Sequence, residues 1–270
     1  MPVSLEQDRR VWQRYDRATV LKRWAWWIVA TIVVLGCWQI ISGATRWEFV
    51  ADAPQQLAQL VVRAFPPRWD YMSELWKPLW DTVNIATLGT LVGLIIAFPV
   101  AFLAARNTTP HPVIRIIALL IIVVSRSVNS LIWALMLVAL IGPGLLAGII
   151  AIGLRSIGFL GKLFYEAIEE TSIEPIEAIA STGASRFQVL TYAYLPQVLP
   201  AFTGVTVFRW DINIRESTVL GLVGAGGLGI ALNSSINSLQ WDRAGMIFVV
   251  IFVMVLISEW ISARVRKAII

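Results

Sequence analysis

Arg126, Arg155, Arg209, Asp211, Arg215 and Glu216 stand in stretches of the 270-residue chain that are otherwise almost wholly apolar. A charge at the centre of a bilayer costs about 2.5 to 3.5 kcal/mol on insertion scales, so such side chains face protein or water and not lipid. On a helix, Arg209, Asn213 and Glu216 share one stripe, while Asp211 and Arg215, four apart, pair on nearly the opposite face. A helix polar on two faces belongs inside a bundle. Asp211 with Arg215 reads equally as an internal salt bridge that fixes packing and as part of a hydrated path. Arg126 and Arg209 have no carboxylate three or four residues away. They read as lining an aqueous cavity, where a guanidinium attracts a small oxyanion. Such a group must also release what it binds, so a relay of weak donors is expected.

Other chemistries are poorly represented. One cysteine, Cys37, and one histidine, His111, exclude an internal disulfide, a thiolate cluster and a paired-histidine zinc site. No G-x-x-x-x-G-K-[ST] run is present, so the chain is not itself an ATPase and is expected to hold no cofactor or metal of its own. Gly224-Ala225-Gly226-Gly227-Leu228-Gly229 fits G-x-G-x-x-G formally, but it leaves an apolar helix and not a soluble strand, which defeats the dinucleotide reading. Ser217 to Trp241 carries no charge, yet its glycines and the run Asn233-Ser234-Ser235-Ile236-Asn237-Ser238 suggest a re-entrant or surface segment.

A second cluster of signals lies in the loop 172–191. Pro175 suits a first helical position, and Glu174 and Glu177 sit where a helix dipole favours anions. Gly183 can take the left-handed conformation that ends a helix, and Ser185 with Gln188 forms a capping box for the next one. The loop therefore reads as helix, turn, helix, with small residues that let a partner approach closely.

The elements that must hold these groups follow from composition. Hydrophobic residues make up 57% of the chain and charged ones 14%, and mean hydropathy is +0.72, which excludes an ordinary soluble enzyme. Uncharged runs Trp24 to Ile41 and Thr82 to Ala105 are long enough to span a bilayer. Val113 to Ile141 reads as a third span, long enough that it must tilt or start in the interface. Gly142-Pro143-Gly144 precedes a fourth to about Phe164, Val198 to Leu222 is a fifth, and Ala244 to Ala263 a sixth. The expected fold is all-α, a polytopic membrane protein of six transmembrane helices. Lys and Arg gather in the N-terminal segment (including Arg14), at Arg106, Arg115, Lys162 and Arg186, and at Arg264, Arg266 and Lys267. The positive-inside rule then places both termini in the cytoplasm. That topology accounts for the net charge of +5 without nucleic acid, and leaves the stretch between Gly43 and Asp81 outside, partly on the membrane surface.

Glu177-Ala178, then Gly183, then nine residues, one position, and Tyr194-Leu195-Pro196 resemble the EAA, three residues, G, nine residues, I, x, LP signature of permease subunits of bacterial ATP-binding cassette importers. Ile179 and Ala193 depart from it, but both are apolar and the spacing is intact. A narrower resemblance lies in Arg209 to Val219 and Gly221 to Gly229, with Pro67, Arg126 and Asn129. It is similar to permeases for phosphonates, phosphite and hypophosphite, although methionine-type permeases share the glycine tail.

The resemblance implies a five-span importer core over 82–266 plus an N-terminal span, giving a cytoplasmic segment 1–23, a first helix and external loop 24–81, and the core. It implies that Glu174, Glu177, Ala178, Gly183, Leu195 and Pro196 couple to a separate ATPase. It further implies a second permease copy, two ATPase subunits binding ATP and Mg, and a periplasmic or lipid-anchored substrate-binding protein at a bacterial inner membrane. Arg126, Asn129, Arg209, Asp211, Asn213, Arg215 and Glu216 become translocation-pathway candidates. Arg209→Ala and Arg126→Ala are both expected to leave assembly intact and stop transport. Sulfonate, nitrate or methionine permeases remain alternatives within the class, and an ion-coupled transporter or channel outside it.

Overall fold

The computed structural model describes residues 3–6, 9–12 and 17–269, so Arg14 lies outside the described residues. The chain divides into two compact units, residues 1–61 and 62–270. In the first, strands β1 (Val3–Glu6) and β2 (Arg9–Trp12) pair antiparallel, a small departure from the all-α expectation. Helix α1 (Arg17–Ala44) contains the expected first span, with its tryptophans and aliphatic side chains exposed, as a lipid-facing helix requires. Helix α2 (Trp47–Ala64), which crosses the unit boundary, is amphipathic with no buried residue.

The second unit is helical. After a single 3-10 turn, Trp69–Tyr71, come α3 (Met72–Ala104), α4 (Pro112–Ser127), α5 (Ser130–Ile141) and α6 (Leu145–Glu169). Then follow α7 (Ile173–Ala180), α8 (Arg186–Val189), a π turn at Leu190–Tyr194, and α9 (Leu195–Gly221). Helices α10 (Leu228–Asn237) and α11 (Trp241–Ile269) complete the chain. Helices α3 and α6 pack closely because their facing residues are small. A Cβ on Gly93 would lie 2.5 Å from Ser156 Cβ, and one on Gly89 2.7 Å from Ile152 Cγ2. Within a bilayer, where lipid competes for apolar surface, such close backbone approach is what holds helices together.

Among the described residues, four helices are long and apolar enough to cross a membrane, and the pair α4 and α5 raises this to five if counted as one broken span. Two expectations change. The stretch from Val113 to Ile141 is not one tilted helix: α4 and α5 meet at 88°. Val128 and Asn129 are extended, and the Asn129 carboxamide oxygen accepts the Leu131 N–H at 3.1 Å, so a new helix is capped where the old one ends. The second span also begins earlier than Thr82, because α3 starts at Met72 and its first turns include Leu75, which is fully buried. Helix α9 is missing from the span count. Its four charges make it too polar, although it packs among α3, α6 and α11. The glycine-rich tail is buried, as an irregular backbone segment at membrane depth must be: Leu228 N–H donates to Thr82 Oγ at 2.8 Å and Gly144 N–H to the Gly224 carbonyl at 3.0 Å.

Candidate functional site

The charged residues of α9 sort onto two faces, as their spacing requires. On one, Arg215 pairs with Asp211, whose other oxygen accepts the Ser258 hydroxyl of α11 at 2.7 Å. Asp211 is buried and Arg215 exposed, so this pair ties α9 to α11 and has the character of a packing contact. On the opposite face Arg209 is 2% exposed and fully engaged. Its guanidinium meets the Glu216 carboxylate at 3.3 Å, donates from Nε to Ser156 Oγ at 3.1 Å, and lies over the Phe159 ring at 5.1 Å. The expectation that Arg209 lines an open cavity is thereby corrected: it is enclosed and paired with a carboxylate. Its carboxylate sits seven residues on, two helical turns along the same stripe, beyond the three-or-four spacing.

The sequence marks Arg155 of α6 only as an intramembrane charge. It reaches Glu216 at 3.5 Å from the other side and donates to the Val128 carbonyl at 3.3 Å. That carbonyl is free because the helix breaks there. Asn213 donates to Thr90 Oγ at 2.8 Å and to Ser156 Oγ at 3.1 Å. Thr90, Asn213, Ser156, Arg209, Glu216, Arg155 and Val128 thus form one continuous polar chain through α3, α9 and α6 to the break between α4 and α5. Thr90 and Ser156 escaped the sequence reading, since a hydroxyl in an apolar run gives no hint of its neighbours on other helices. Arg126 stands in the last turn of α4, two residues before the break at Val128, its side chain exposed and without a hydrogen-bond or ion-pair partner among the described residues. Asn129 caps α5 and also accepts the Ser130 hydroxyl at 3.2 Å.

The loop at 172–191 has its anticipated form. Gly183 has φ +80°, with nothing within 4 Å of where a Cβ would stand, and both halves of the Ser185 and Gln188 capping box are made. Helix α7 starts at Ile173, two residues before Pro175, which still falls in the first turn where no intrahelical N–H is needed. Ile176 packs inward against the cluster around Phe164 and Phe202, leaving Glu174, Glu177 and Ala178 exposed. Leu195 packs on the same cluster, and Pro196 is exposed. The Gln197 carboxamide fixes the start of α7 by accepting the Ser172 N–H at 3.1 Å. Tyr194 donates to the Asn107 carbonyl at 3.4 Å, and burial pushes its phenol up from the ordinary tyrosine value, so it stays a neutral donor. Behind α7, Glu169 accepts the Arg106 backbone N–H at 2.8 Å and meets the Arg115 guanidinium at 3.8 Å. The end of α6 is thus clasped to the loop before α4.

Residues 89–269 match the family described as binding-protein-dependent transport system inner membrane component. The chain is 39% identical over 249 residues to the phosphite transport system permease protein PtxC of Stutzerimonas stutzeri, covering 90% of each. It is 41% identical over 216 residues to the phosphate-import permease protein PhnE of Mycolicibacterium smegmatis, covering 80% of this chain and 41% of that one. Among solved structures, an inward-facing MetNI methionine ABC transporter shares the fold at 20% identity, with a TM-score of 0.65 over 75% of this chain and 99% of that one. A bacterial ABC transporter that imports alginate superposes at 17% identity with a TM-score of 0.56, over 92% of this chain and 99% of that one.

Proposed function

The chain belongs to the family of binding-protein-dependent transport system inner membrane components, and on that footing we propose that it carries phosphonate, phosphite or hypophosphite inward as the permease subunit of an ATP-binding cassette importer. The observation that carries the choice of cargo is the meeting of two guanidinium groups, Arg155 and Arg209, on the single Glu216 carboxylate. Guanidinium is a good planar partner for phosphoryl-type oxygens, and relatives named for phosphite and phosphate import support the same reading.

The transport unit is two permease copies, two ATPase subunits that bind ATP and Mg, and a periplasmic or lipid-anchored binding protein. The chain spans the inner membrane six times, both termini cytoplasmic, with α9 the shielded span. ATP-driven closure of the ATPases moves the exposed face of α7, with Glu174, Glu177 and Ala178, and opens the path outward. Hydrolysis returns it inward. The decisive experiment is reconstitution with a cassette ATPase and binding protein: phosphite or phosphonate should accumulate only with ATP. Uptake without ATP would sink the importer in favour of a channel or an ion-coupled carrier.

Two substitutions test the parts. Gly183→Val forces a β-branched residue into a left-handed backbone, whereas Asn tolerates that region. Val should uncouple ATP hydrolysis from uptake and Gly183→Asn should preserve coupling; equal behaviour of the two would discount the turn. Arg126→Ala removes an exposed side chain with no partner, so the complex should assemble normally while uptake falls at least about tenfold, the loss typical of a charge-assisted contact. Undiminished uptake would remove Arg126 from the path.

A further inference from the structure

The two arginines that share Glu216 are held very differently. Arg209 is enclosed by the carboxylate, Ser156 and the Phe159 ring. The Arg155 side chain is 29% exposed and Glu216 is 22% exposed. Arg155 makes one hydrogen bond, to Val128, and its buried Nε has none, since the contact with Glu216 at 3.5 Å is an ion pair without hydrogen-bond geometry. A guanidinium carries five N–H donors, so most of those on Arg155 are unspent. The group is also unbalanced, with two positive charges on one carboxylate. Asp211 does not correct this, because it faces the other side of α9 and is taken by Arg215 and Ser258. The buried Asn213 carboxamide oxygen, in the same polar chain, is likewise without a partner. An excess positive charge and unspent donors on a partly exposed guanidinium together describe the complement of a small oxyanion.

We propose that Arg155 is the substrate-binding residue of the membrane interior and that Glu216 is a resident competitor for it. An incoming oxyanion displaces the carboxylate from Arg155, Glu216 keeps its contact with Arg209, and the carboxylate returns to expel the anion. The exchange sets the affinity low enough for passage. It rests on the oxyanion reading given above for the cargo. No covalent bond is made or broken in the exchange.

The test uses the assembled permease and ATPase complex in nanodiscs, without binding protein, titrated calorimetrically with phosphite and in parallel with sulfate. Glu216→Gln should bind phosphite at least tenfold more tightly than the unaltered complex and, in proteoliposomes with binding protein and ATP, transport it more slowly, a combination that a merely damaged structure does not produce. Arg155→Gln should bind none, and the double variant should be no tighter than the unaltered complex. If Glu216→Gln fails to assemble, Glu216→Asp, which withdraws the carboxylate by one methylene, should still tighten binding. Unchanged or weaker binding in whichever variant assembles overturns the exchange. The cargo reading fails separately, if the unaltered complex takes up no phosphorus oxyanion with ATP. Tightening toward sulfate in Glu216→Gln would then still support exchange with an anion of another class.

Discussion

Arg209→Ala is expected to lower the amount of folded permease as well as to stop transport. The side chain is 2% exposed and joins α9 to α6 through Ser156 and Phe159. Removing one partner of a buried ion pair costs about 3 to 5 kcal/mol, since the other charge is left under-compensated. Here Arg155 still faces Glu216, so the lower end of that range applies, with the lost packing of the guanidinium added. This departs from the reading of the sequence alone, which has Arg209 and Arg126 failing alike, assembled but inactive. Detergent-extracted complex assayed by size exclusion over a temperature series distinguishes them. Arg209→Ala should lose its assembled peak several degrees early and Arg126→Ala should not. Equal stability of both variants would mean that the Arg209 pair contributes little to the fold.

Gly229→Ala should be the more severe change. A Cβ there would come within 2.1 Å of the Thr218 carbonyl oxygen and 2.6 Å of Gly221 Cα. Both obstacles are backbone, so no rotamer change relieves them. Overpacking a core by one methyl commonly costs about 1 to 3 kcal/mol, and a clash against fixed backbone belongs at or above the top of that range. The displaced segment is also the one that pins the tail to α3 through Leu228 and Thr82. Gly204→Ala on α9, where nothing lies within 4 Å of the added carbon, is the control. It should leave thermal stability unchanged or slightly raised through helix propensity. If both alanine variants melt together, the tail is more yielding than its packing indicates.

What was readable in advance was local. The capping box at Ser185 and Gln188, the left-handed Gly183 and the Asp211 pair with Arg215 are each set within a turn of chain, and each appears. What was not readable depends on a second helix or on a longer stride. Glu216 reaches Arg209 over two turns and Arg155 across a helix interface. Glu169 finds Arg106 and Arg115 only because α3 and α6 end side by side. The break at Val128 was half legible: Asn129 followed by Ser130 is a capping signal, but its apolar flanks favour one long span. The charges of α9 show the same conflict, since hydropathy disfavours a segment that packing between α3, α6 and α11 accommodates.

The glycine contacts between α3 and α6 also decide where the molecule can yield. With Gly93 seated on Ser156 and Gly89 on Ile152, neither helix can slide past the other without a collision, so the two behave as one stiff strut. Arg155 lies on that strut about 21 Å from Glu169, at the usual rise per residue, and Glu169 is four residues from the start of α7. Under the proposed coupling, a thrust delivered at α7 would arrive at Arg155 with little damping. Compliance must sit at the ends of the strut, at the glycines Gly142 and Gly144 with φ +91° and +151°, and at the corner between α4 and α5. Stiffening either hinge should slow the cycle while leaving the force that enters it unchanged.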